Sequence, residues 1–79
     1  MNKRRIKTNK EIGERIKKRR RELGITQEKL AETLNVTYQQ VQRYENGTNS
    51  LNLENVQIIA DALSVPASYF FESERPLRV

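Results

Sequence analysis

The chain has no cysteine, no histidine and no tryptophan, and only two prolines and three glycines in 79 residues. Without cysteine there is no disulfide and no thiol nucleophile. Without histidine as well, the usual zinc ligand sets and every histidine-based triad are gone. No carboxylate pair or glycine-rich phosphate loop takes their place, so the sequence reads as a non-enzyme with no metal and no cofactor. No apolar run approaches the roughly 18 residues that span a bilayer, and the N-terminus lacks the apolar stretch of a signal peptide. These absences predict a cytoplasmic protein with no membrane partner. A chain this short makes one domain with a modest core, for which dimerisation would be a useful source of stability.

Charge is plentiful, and it is uneven. Residues 1–22 hold 11 Lys and Arg against 3 Glu, whereas residues 23–79 hold 4 against 7 acids, within a net charge of +5. A basic block on a slightly acidic remainder points to a polyanion, either nucleic acid or an anionic membrane surface. The membrane reading is weak in composition: the basic helix offers only Ile12, Ile16 and Leu23 as an apolar face, with no Trp or Phe to insert.

Residues 1–9 are too polar to pack and read as a basic flexible arm. From Lys10 to Leu23 the pattern is helical, with Ile12, Ile16 and Leu23 on one stripe and Gly24 closing it. Arg20 falls on that buried stripe and needs a partner, for which Glu45 is the candidate.

The stretch Thr26 to Gly47 predicts two short helices around a tight turn. Ile25-Thr26 is an apolar residue followed by a capping hydroxyl, with Leu30 placed to staple back to Ile25; Leu30, Ala31 and Leu34 then share a face up to Asn35. The grammar repeats at Val36-Thr37, with Gln40 as capping-box partner and Val41 as staple, and this second helix runs from Tyr38 to Asn46-Gly47. Val41 and Tyr44 point inward, which leaves Tyr38, Gln39, Gln42 and Arg43 outward. An ordinary solvated face would mix Glu and Lys. These side chains suit base edges instead: Arg for guanine, Gln for adenine, a tyrosine ring for a thymine methyl.

Leu51, Asn52 and Val56 open another helix, with Ile59, Ala60 and Leu63 on its inner face and Ile58 and Ala62 beside it as a surface for a second subunit. Pro66 opens a short last helix from Ala67 to about Glu72, in which Phe70 and Phe71 read as core lids and Tyr69 as a candidate dimer contact.

Together, Thr26-Gln27, Leu30-Ala31, the turn at Asn35 and the ending Tyr44-Glu45-Asn46-Gly47 resemble the helix-turn-helix of the phage Cro and lambda-type repressor family of small bacterial xenobiotic-response-element-like regulators. Asn35 departs from the glycine often found in that turn, but asparagine tolerates the left-handed region. The resemblance covers residues 10–72 and implies an all-α, five-helix DNA-binding domain, with 73–79 as a C-terminal tail. It also implies an ion pair between Arg20 and Glu45, whose positions match a paired Arg and Glu of the family.

What the resemblance implies for function is a transcriptional regulator, most often a repressor, acting as a homodimer on a two-fold-related operator in double-stranded DNA. Base readout then falls to Tyr38, Gln39, Gln42 and Arg43, and backbone contact to Gln27, Thr37, Asn46, Thr48 and Asn49. Similar small proteins also serve as antitoxins or restriction-modification controllers, which adds a partner protein as the alternative. An RNA reader would need exposed aromatic platforms that this pattern does not provide.

Overall fold

The structure, a computed structural model, describes residues 8–71. Of the expected arm it describes only Thr8 and Asn9, and the tail at 73–79 lies outside the described residues. Four α-helices follow one another: α1 (Asn9–Glu22), α2 (Gln27–Leu34), α3 (Tyr38–Asn46) and α4 (Leu53–Ala62). The expected fifth helix is instead a 3-10 helix, Ala67–Phe71, entered through a bond from the Tyr69 N–H to the Pro66 carbonyl of 2.9 Å. So short a segment does not repay the cost of nucleating an α-helix.

Each α-helix starts on a side-chain cap: Thr8, Thr26, Thr37 and Asn52 accept from backbone N–H groups of the first turn. At Thr8 the box is complete, because the Glu11 carboxylate also accepts from the Thr8 N–H at 2.9 Å. This cap starts α1 at Asn9, one residue earlier than the apolar pattern suggests. At Thr37 only the hydroxyl half forms. The Gln40 side chain, expected to reach back, turns forward and accepts from Arg43 Nη1 at 3.4 Å.

The helix ends are equally uniform. Gly24, Asn35, Gly47 and Ser64 all lie in the left-handed region, with φ of 72°, 60°, 76° and 59°. The residue after each donates its N–H to the carbonyl five positions back, at 3.0 to 3.2 Å, which satisfies carbonyls that the helix leaves unpaired. After α1, α2 and α4 that residue is apolar and packs on the core: Ile25, Val36 and Val65. Two of these also precede the next cap, so Gly24-Ile25-Thr26 and Asn35-Val36-Thr37 are compact joints. After α3 the corresponding residue is Thr48, exposed, and the apolar residue is delayed to Leu51.

The core consists of Ile12, Ile16, Leu30, Ala31, Val41, Tyr44, Val56, Ile59, Ala60, Leu63 and Phe70. Helix α1 packs on α3 and on the 3-10 helix, α2 on α3 and α4, and α4 on the 3-10 helix. Two expected core residues lie outside it. Leu23 is 39% exposed because α1 has ended and Arg20 already occupies the last inward position of the stripe. Phe71 is 45% exposed because neighbouring residues of a 3-10 helix point about 120° apart, so only Phe70 faces inward.

The sequence pattern alone does not reveal why a glycine sits inside α1. A Cβ on Gly13 would lie 2.3 Å from the Tyr44 carbonyl oxygen and 2.6 Å from that of Glu45, so α1 crosses the backbone of α3 where no side chain fits. At Gly24 there is open space, and only the positive φ favours glycine. Urea unfolding should therefore rank the two apart: Gly13→Ala costs about 3 kcal/mol and Gly24→Ala about 1 kcal/mol. Equal costs would contradict the close crossing.

Candidate nucleic-acid interface

Helix α3 is divided lengthwise. Val41, Tyr44 and Glu45 are buried, and Tyr38, Gln39, Gln42, Arg43 and Asn46 are exposed. At about 100° per residue these five span roughly 140° of helix surface, with Gln39, Gln42 and Asn46 along the middle and Tyr38 and Arg43 at the flanks. The helix has no acid on this side; its only acid, Glu45, points inward.

Glu45 is held by three donors. Arg20 Nε lies 2.6 Å from Glu45 Oε2 and Arg20 Nη2 lies 3.1 Å from Oε1, a bidentate pair between residues only 8% and 4% exposed. The Gln27 amide donates to Glu45 Oε1 at 3.0 Å, and Arg20 Nη1 donates to the Ile25 carbonyl at 2.8 Å. Three helices and a joint thus meet at one carboxylate. A planar guanidinium supplies the fork that such a pair needs, where a lysine would reach only one oxygen. Gln27, assigned to the DNA backbone on sequence grounds, is therefore half-buried with one amide hydrogen directed inward.

The other expected backbone residues lie at the two ends of α3 and in the loop behind it. Asn46 and Thr48 are exposed and Asn49 is half-buried. Thr48 is tied to α3 by its N–H (3.0 Å) and its hydroxyl (3.4 Å), both donating to the Arg43 carbonyl. Beneath the loop runs the start of α1: a Cβ on Gly47 would meet Lys10 Cα at 2.5 Å. Thr37 caps α3 from an exposed position, its oxygen 3.2 Å from the Gln40 nitrogen.

The basic helix requires a correction. Arg15 and Arg19, part of the basic block read as a polyanion footprint, serve the fold. Arg15 Nη1 donates to the Tyr69 carbonyl at 2.8 Å, with its guanidinium 5.4 Å from the centre of the Tyr69 ring. Arg19 Nε donates to the Leu63 carbonyl at 2.9 Å, at the C-terminal end of α4 where the helix dipole is negative. Tyr69, expected at a dimer contact, is half-buried against Arg15 and edge-on to Phe70, with ring centres 5.2 Å apart. With Arg20, three of the arginines of α1 are engaged in internal hydrogen bonds, so the exposed basic groups of this helix are Lys10, Lys18 and Arg21, with Lys17 half-buried. Among the described residues no group of His, Cys, Asp and Glu is placed to hold a metal ion, and no helix is long and apolar enough to cross a membrane.

This architecture, a short helix, a left-handed turn and an outward polar helix riveted to a supporting helix, defines a helix-turn-helix domain. The profile of the helix-turn-helix family HTH_3 matches residues 16–70, and the chain belongs to this family, the Cro/cI type of DNA-binding transcription regulators. An uncharacterized HTH-type transcriptional regulator of Sinorhizobium medicae is 51% identical over 61 residues, 77% of this chain and 44% of the relative. The chain thus spans less than half the length of that relative. Among solved structures, the restriction-modification controller protein C.AhdI of Aeromonas hydrophila is similar at 27% identity and a TM-score of 0.75, over 80% of this chain and 96% of that one. The P22 c2 repressor, in complex with a synthetic operator, is similar at 30% identity and a TM-score of 0.70, over 77% and 92%.

If Arg19 belongs to the fold, Arg19→Met should cost about 1–2 kcal/mol in urea unfolding and leave the slope of log affinity for DNA against log salt unchanged. An unchanged stability with a slope reduced by about one would place Arg19 on a phosphate instead.

Proposed function

We propose that the chain is the DNA-reading unit of a cytoplasmic transcriptional repressor that binds a two-fold-related operator as a homodimer. The observation that carries this reading is the exposed, acid-free face of α3, held to α1 through its one inward carboxylate. Two such helices, roughly 34 Å apart, enter successive major grooves and exclude polymerase by occupancy. Tyr38, Gln39, Gln42 and Arg43 read base edges. Thr37, Asn46, Thr48 and Asn49 hold the backbone, joined by Gln27 through the part of its amide not given to Glu45. Exposed Leu53, Ile58 and Phe71 supply apolar surface for the second copy.

A second reading, a restriction-modification controller, is favoured by the likeness to C.AhdI, which matches almost end to end; an antitoxin that also binds a partner protein is the other form of this reading.

The test is selection of random duplex DNA near 0.15 M salt, followed by titration against scrambled duplex. A two-fold-related motif bound about 1,000-fold above scrambled DNA is expected; equal binding of all duplexes that collapses with salt contradicts the reading. Within the selected site, Arg43→Ala should cost about 1–3 kcal/mol and relax one base position in each half-site, whereas Thr48→Val should weaken all duplexes alike.

A further inference from the structure

Gln40 breaks the rule that governs the start of α1. A Glu or Gln at the third helical position ordinarily turns back to bond the backbone of the capping residue, and Glu11 does so at Thr8. Gln40 holds the same position behind Thr37, yet its Oε1 accepts from Arg43 Nη1 at 3.4 Å, one turn along the helix. It is half-buried, whereas Arg43 is exposed at the flank of the outward face. The backbone of Arg43 is also fixed, its carbonyl accepting from both the N–H and the hydroxyl of Thr48.

From this geometry we infer that Gln40 is a positioning residue for base readout: it takes one hydrogen of Arg43 Nη1 and so sets the orientation of the guanidinium fork that reaches the groove. The inference rests on the proposed role of Arg43 at base edges. A free arginine side chain samples many rotamers, and bidentate recognition requires one of them; an acceptor on the same helix reduces the entropy lost on binding and fixes which base edge the fork meets. Gln40 touches no base in this arrangement. It acts through Arg43.

The experiment compares wild type, Gln40→Ala, Gln40→Glu, Arg43→Ala and the Gln40→Ala/Arg43→Ala double variant on the selected operator, on its single-base substitutions and on scrambled duplex, with thermal unfolding as a control. Gln40→Ala should lower discrimination about three- to ten-fold at the position that Arg43→Ala relaxes, with scrambled-DNA affinity and unfolding nearly unchanged. It should add nothing once Arg43 is gone. Gln40→Glu, which keeps an acceptor for the guanidinium, should retain discrimination at that position. If Arg43→Ala relaxes a position and Gln40→Ala does not, or Gln40→Ala weakens all duplexes equally, the positioning role is overturned while base reading by Arg43 stands. If the wild type selects no motif, base reading fails and the inference fails with it.

Discussion

The structure depends on one carboxylate. Glu45 is the only acid of α3, and its burial requires the two-pronged contact from Arg20 and the further donor from Gln27. A buried charge is tolerated only when fully paired, so the position of the outward helix relative to α1 and α2 is fixed by the need to keep that group bonded. The same geometry turns the one acid of α3 away from its outward face. Close packing reinforces the contact: Gly13 lets the backbones of α1 and α3 approach next to Glu45, and Gly47 lets the chain pass over Lys10.

Much of this fold was legible in the sequence because it is written in short local rules. Hydroxyl or amide caps and left-handed closers recur at every α-helix, with an apolar residue beside the closer at all but α3, and each rule depends only on residues a few positions apart. The Arg20–Glu45 contact was legible for a different reason: a charge on an apolar stripe is conspicuous and needs a partner, and the family resemblance implies Glu45 in that place. What was not legible depends on distant parts of the chain. Nothing near Gly13 announces that α3 will cross there. Nothing near Arg15 and Arg19 announces that the carbonyls of Tyr69 and Leu63 will come within reach of their guanidinium groups. Ser64 is a left-handed closer with no glycine or asparagine to mark it.

These misses change the meaning of the charge pattern. A cluster of arginines in the first helix reads as a polyanion footprint, yet Arg15, Arg19 and Arg20 bond to the C-terminal segment, to the end of α4 and to α3. Composition cannot separate a basic surface from a basic scaffold; only the positions of the acceptors can. The departures from local rule fall instead around α3. The residue after its closer is polar Thr48 where the other joints place an apolar residue, and Gln40 leaves its capping partner for Arg43. Places where a chain forgoes its own capping and packing habits are where binding residues are to be sought.

The claim that Glu45 and Arg20 act as one unit is tested most directly by unfolding measurements on Arg20→Met, Glu45→Leu and the double variant. Each single change strands a charge and should cost about 3–5 kcal/mol, and the double variant, which buries neither charge, should be more stable than either single one. Single costs that simply add in the double variant would contradict it, and the outward helix would then owe its position to apolar packing alone.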